Sequence, residues 1–266
     1  MAIAEATVPR FEMGRVLKRT FSVVGNNFLA FALFSLVVAI PYGLLSWISL
    51  QFPAGLFRGN FQSGFNSTSD GLYLLSQIVF YVGSFVLQAA GIHATVVYLN
   101  GRKVNALQSF STALGLIVPL VGLGVLATLG IFGGFLLLIV PGIILAIMWS
   151  VAVPAFVVEN TGVMGAFRRS RDLTSGYRGS IFVLMLAFAV IVILGAVVLG
   201  IFVGIIVVAV MPDIEAPGEA ETEILVDVIA GTIGAILNSA LAASIYYELR
   251  QMKDGIGPEE LASVFD

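Results

Sequence analysis

The stretch STALGLIVPLVGLGVLATLGIFGGFLLLIVPGIILAIMWSVAVPAFVV, residues 111–158, contains no Asp, Glu, Lys, Arg or His. A helix rises about 1.5 Å per residue, and about 20 apolar residues cross the hydrocarbon core of a bilayer. The stretch is therefore long enough for two membrane-spanning helices and too apolar for a soluble surface. The reversal between them is weakly marked. Pro141-Gly142 is the preferred turn, with Pro141 at or near the first turn of the fourth helix, where a missing N–H costs nothing. Gly133-Gly134 is the competing turn, and it would leave Pro141 as a kink.

Outward from this stretch the same pattern repeats. Apolar runs extend over about 28–50, 72–99, 113–138, 142–158, 181–210 and 224–247. Over all 266 residues, 59% are hydrophobic and only 11% charged, against roughly 25% charged in an average soluble domain. Mean hydropathy is +1.03. The expected fold is all-α: a single polytopic membrane domain of six transmembrane helices arranged as three helix hairpins. The start, MAIAEATVPRFEMGRVLKRT, lacks the short apolar core and small-residue cleavage site of a signal peptide, so the first span is expected to remain as an uncleaved anchor.

Charge sorts along this arrangement. Six spans put both termini on one side, and 12 of the 13 Lys and Arg residues fall on that side, Arg58 alone opposite. Asp70, Asp213, Glu215, Glu219, Glu221 and Glu223 lie on the other side. The positive-inside rule then makes both termini cytoplasmic.

Three segments on the basic side resemble one another: GRVLKRTFSVVGNN, VNALQSFSTALG and GVMGAFRRSRDLTSG. Leu17, Leu107 and Phe167 can be laid in register. Each segment reads as a short amphipathic helix, over about 11–25, 104–112 and 162–175. In the first, Met13, Leu17, Phe21 and Val24 form an apolar stripe. In the third, Val163, Ala166, Phe167 and Leu173 form the apolar side, and Thr161 is positioned as an N-cap. The ends of the even spans echo each other as well: ATVVYLNGRKV, AVPAFVVENTGV and ASIYYELRQMKDG. One reading is a tandem repeat of three parallel units, each a short helix followed by a hairpin. The other is that any connector near a membrane looks basic and amphipathic.

Chemistry-bearing residues are few. There is no Cys and one His, which leaves no thiol chemistry and no expected metal site. His93 lies in the second span; it is a candidate to relay a proton or bind a ligand, and the expected reading is a neutral His hydrogen-bonded to a helix neighbour near the basic end. Asp227, one turn into the sixth span, reads as an interfacial charge. Asn238 and Ser239 are expected to make interhelical hydrogen bonds. Glu159 stands out, because a carboxylate on the basic side has no topological role. It is expected to bind one of Arg168, Arg169 and Arg171 and so clamp the third short helix to the fourth span, since Arg suits bidentate pairing in a partly dry site. The remaining arginines are then available to anionic lipid headgroups.

The run VPGIILAIMWSVAVPAFVVENTGVMGAFRRSRDLTSG together with IYYELRQMKDG resembles a bacterial family of six-span proteins grouped with the membrane domain attached to some glycerophosphoryl diester phosphodiesterases. The resemblance rests on Pro141, Gly142, Pro154, Glu159, Gly165, Ala166, Arg169, Ser170, Leu173, Thr174 and Gly176, then on Tyr247, Leu249, Arg250, Lys253 and Gly255. Asp254 stands where the family more often has Glu. It implies a membrane domain without the soluble phosphodiesterase barrel, for which the chain has no room. The expected protein is a multi-pass bacterial inner-membrane protein without a cofactor. Its expected role is that of a non-enzymatic scaffold or lipid-associated envelope factor, with membrane lipids rather than nucleic acid as partners. The alternative is a small transporter or channel for a lipid or apolar solute.

Overall fold

The computed structural model describes residues 11–53, 55–58, 64, 68–210, 222, 224 and 226–255. The acidic residues 213–223 and most of the polar loop before Gly71 lie outside them. The chain is all-helical over the described residues, in the order α1 (Met13–Asn26), α2 (Phe28–Leu50), α3 (Ser69–Leu99), α4 (Ala106–Gly115), α5 (Ile117–Leu137), α6 (Ile139–Met148), α7 (Ala152–Glu159), α8 (Gly162–Thr174), α9 (Arg178–Val210) and α10 (Thr232–Asp254). A 3-10 turn, Leu56–Arg58, precedes α3, and a π-helical turn, Asp227–Gly231, leads into α10. Six helices are long and apolar enough to cross a membrane: α2, α3, α5, α6 with α7, α9 and α10. The protein is a polytopic membrane protein.

The short helices α1, α4 and α8 gather at one end of the bundle with most of the described cations, here called the basic end. Their packing runs in a cycle. α4 rests on α3 and α2, α8 on α7 and α5, and α1 on α10 and α9. The even spans meet in the middle, α3 against α10 and α7 against both. Small residues make this possible. Ala89, Ala90, Ala94, Ala152, Ala155, Ala240, Ala242 and Ala243 are all buried there. Between lipid-soluble helices there is little hydrophobic gain in association, so close backbone approach and dispersion supply the attraction. Gly91 marks a close approach of α3 to α10: a Cβ added to it would lie 2.1 Å from Ser239 Oγ and 2.8 Å from Ser239 Cβ.

The reversal between the third and fourth spans falls at neither predicted turn. It is made by Leu138 alone, in extended backbone with φ −166° and ψ 156°. Gly134 and Gly142 instead lie inside the flanking helices, and a Cβ on Gly134 would sit 3.0 Å from the Gly142 Cα. These glycines let two backbones touch at the base of the hairpin, which is why both looked like turn signals. Pro141 occupies the third position of α6, where its missing N–H has no helical partner to lose.

The fourth span, read from sequence as one helix, is broken between Met148 and Ala152. Pro154 is the cause. It cannot donate to the carbonyl four residues back, and its ring crowds that carbonyl. Ser150 and Ala152 bond instead to Ile147 and Trp149 in tight turns.

The apolar stripe expected on α1 is also not its buried face. Val16, Thr20 and Val23 are fully buried, while Met13 and Phe21 are exposed. Small and β-branched residues fit the grooves of neighbouring helices, and the longer apolar side chains flank them, where lipid can cover them. Gly91→Ala should destabilise the protein by about 1–3 kcal/mol. Thermal unfolding in detergent should show part of the loss recovered by adding Ser239→Gly.

Candidate functional site

The described polar side chains converge at the basic end, on the last turns of α10. Every residue of α10 from Ser239 to Leu249 is buried. Tyr246, Arg250 and Asp254 are spaced four apart and so share one face. That face meets Glu159 at the end of α7 and Arg169 on α8. Arg169 Nε donates to Glu159 Oε1 at 2.9 Å, and the Tyr246 hydroxyl donates to the same oxygen at 2.7 Å. Arg250 Nη1 donates to the Tyr246 hydroxyl at 3.1 Å. Arg169 Nη2 reaches Asp254, and Lys253 donates to the Asp172 carbonyl. Burial disfavours the Arg169 charge, but hydrogen bonds and attraction from Asp254 and Glu159 outweigh it, so its pKa is held above the ordinary arginine value.

A second network lies on the adjacent face of α10. Glu248, only 2% exposed, accepts from Arg19 Nη1 at 2.7 Å. Arg15 Nε stands 3.6 Å away, and Arg15 Nη2 binds Glu12 at 2.7 Å. The Arg19 guanidinium lies over the Tyr247 ring, 4.8 Å from its centroid. α1 is thus held on the end of the last span, by residues 229 positions apart.

The third short helix, α4, is held differently. His93 Nδ1 and Ser109 Oγ share a hydrogen bond of 3.0 Å. His93 therefore ties its span to a connecting helix. Asn105 caps α4 by accepting from the Gln108 N–H at 3.2 Å.

α8 has one more attachment. The break in the fourth span frees the Met148 carbonyl, and Ser170 Oγ donates to it at 2.7 Å. The turn into α8 uses Asn160 in left-handed backbone, φ 49° and ψ 36°, a conformation Asn tolerates. Thr161 takes the N-cap position but makes no side-chain capping bond.

Of the arginines named from sequence, the structure brings Arg169 to Glu159 and leaves Arg168 and Arg171 exposed. Asn238 is exposed, and Ser239 bonds to Ile236 of its own helix at 2.7 Å, so neither makes the expected interhelical bond. A short hydroxyl closes a bond to its own preceding turn more readily than to another helix. Sequence reasoning missed Arg19, Tyr246, Glu248 and Asp254. The available signal was Glu248 itself, a carboxylate set into the last apolar turns of a span on the basic side, as at Glu159.

One relation links the three attachments. With Leu17, Leu107 and Phe167 in register, Arg19, Ser109 and Arg169 occupy one position. Val16, Thr20 and Val23 of α1 then coincide with Ala166, Ser170 and Leu173 of α8, all six buried. The position ten residues before Arg169 is Glu159, and ten before Ser109 is Leu99.

No family model, curated protein or solved structure matches the chain.

Breaking a buried ion pair from one side strands a charge and costs about 3–5 kcal/mol, and a half-exposed pair costs less. Glu248→Gln should therefore lower the melting temperature in detergent more than Glu159→Gln, whose carboxylate is 15% exposed and whose partner is 26% exposed. Equal shifts would contradict this ranking.

Proposed function

We propose that the protein is a non-enzymatic scaffold of the bacterial inner membrane, with both termini and the basic end in the cytoplasm. Its short helices form a ring that holds anionic lipid headgroups. One observation carries this reading. The buried carboxylates Glu159 and Glu248 are taken up in pinning α8 and α1 to the spans, while the outward positions of the same helices carry Lys18, Arg168 and Arg171. All three are exposed, and among the described residues none pairs with a carboxylate. With Glu159 and Glu248 engaged, the outward cations outnumber Asp172, the exposed acid of α8, and a net positive surface attracts anionic lipid at about 1 kcal/mol per charge. The packed alanine centre at the basic end favours a scaffold over a passage. The resemblance to the phosphodiesterase-associated membrane domain belongs to the same proposal: it supplies a membrane domain and no barrel.

The proposal includes a tandem repeat of three units. The shared register of the buried faces and the cyclic packing support it. In it, each short helix docks on the even span that precedes it, and α1 docks on α10 to close the ring. Glu159–Arg169 and Glu248–Arg19 are then the same contact in two places, and Leu99–Ser109 is its uncharged form.

Native mass spectrometry on protein purified from a mixed phosphatidylglycerol and phosphatidylcholine membrane tests the lipid reading. The triple variant Lys18→Gln/Arg168→Gln/Arg171→Gln should lose affinity for phosphatidylglycerol by about a hundredfold, from three charges at about 1 kcal/mol each. Unchanged retention would sink it. For the repeat, Leu99→Glu/Ser109→Arg should be clearly more stable than the sum of its two single variants predicts. Simple additivity would mean that the positions are not equivalent.

A further inference from the structure

The hairpin of α5 and α6 differs from what the sequence places between the other spans. The loop between α2 and α3 is polar, and the segment before α10 carries DIEAPGEAETE. The tip of the α5–α6 hairpin reads FLLLIV, residues 135–140, with no polar side chain. Leu136, Leu137, Leu138, Ile139 and Val140 are 64–78% exposed. An apolar tip of this kind facing water would be an exposed patch without cover.

Length points the same way. α3 has 31 residues, whereas Ile139–Glu159 and α5 have 21 each. Both even spans end at the basic end, at Leu99 and Glu159. At about 1.5 Å per residue, the tip stops about 15 Å short of the far end of α3, after a path of about 31 Å. A hydrocarbon core is about 30 Å thick, so α3 runs past it into the headgroups while the hairpin reaches no further than its far boundary.

The turn residue itself keeps its backbone bonds, while the Ile139 and Val140 N–H groups that open α6 have no acceptor within the helix. Irregular backbone survives in lipid only if its polar groups are satisfied within the protein. The single non-helical residue of the reversal, Leu138, donates its N–H to the Gly134 carbonyl at 3.0 Å, and its own carbonyl accepts from the Gly142 N–H at 3.5 Å. Pro141 has no N–H to satisfy.

We infer that the tip of the α5–α6 hairpin is a lipid-contacting surface that ends in the leaflet far from the basic end, against acyl chains, and does not emerge into water. The middle hairpin is then a short wedge. This goes beyond the scaffold reading and is independent of it, since it concerns the opposite end of the molecule and holds for either orientation.

The absence of Cys makes the test direct. Spin labels at Leu138→Cys and, separately, Leu137→Cys are placed in proteoliposomes, with Gln51→Cys at the exposed end of α2 as the water-side reference. Collision rates are measured with oxygen, which concentrates in lipid, and with a water-soluble nickel chelate. The expected result at 137 and 138 is strong relaxation by oxygen and weak relaxation by nickel, the reverse of the balance at 51. Strong relaxation by nickel at the tip would place it in water and overturn the inference. Weak relaxation by both would mean that protein, such as a second copy of the chain, covers the tip, and would overturn it equally. Both tip residues are exposed, so these variants keep the packing intact.

Discussion

A carboxylate set into a dry helix interface must find a cation, and in this protein a short connecting helix supplies it, ten residues away for Glu159 and 229 away for Glu248. Glu248 and Glu159 impose this constraint at the basic end. Glu248 reaches Arg19 on α1, and Glu159 reaches Arg169 on α8, whose guanidinium continues to Asp254 on α10. Leaving either carboxylate unpaired would cost several kcal/mol, so the positions of α1 and α8 follow from where these two charges sit. The final turns of α10 serve both networks because adjacent helical faces carry Tyr246, Arg250 and Asp254 on one side and Tyr247 and Glu248 on the other. Three separate segments are joined through one helix end.

The break in the fourth span belongs to the same design. Pro154 stops the helix from running straight, and in the break before it the Ala152 N–H turns to Trp149, which leaves the Met148 carbonyl, a strong acceptor that needs a donor inside a membrane protein, free. Ser170 supplies it, from the face of α8 opposite its exposed arginines. Proline, a serine sixteen residues later and the Glu159–Arg169 pair together hold one short helix against a bent span. α4 has no charged side chain of its own and relies on a neutral bond between Ser109 and His93. The three short helices are thus held by related contacts of different strength, two ionic and one not.

These attachments shape what the surface can do. Once the buried carboxylates are engaged, the cations left facing outward on α1 and α8 determine the field at that end. At the opposite end the tip of the middle hairpin presents only apolar side chains. The molecule is polar and locked at one face of the membrane and apolar at the tip of its central hairpin. Near the basic end α3, α7 and α10 pack closely through buried alanines.

Much of this was legible in the sequence, for a simple reason. Uncharged runs of about 20 residues can only be spans, so residues 111–158 and their counterparts declared an all-α membrane fold, and the segregation of lysine and arginine marked one end as basic. Glu159 was legible as a misplaced carboxylate within reach of nearby arginines. What the sequence left open depends on which faces meet. It did not identify Arg169 among three neighbours, because that choice follows from the side of α8 that packs on α7. It did not pair Glu248 with Arg19, because no local pattern connects residues 229 apart. It marked Gly133-Gly134 and Pro141-Gly142 as turns, whereas Gly134 and Gly142 serve close packing and Leu138 turns the chain. Hydrophobicity along a chain reports what must avoid water. Which apolar or charged face meets which other is decided only when the helices come together, since in lipid the difference lies in shape and in the pairing of a few buried polar groups.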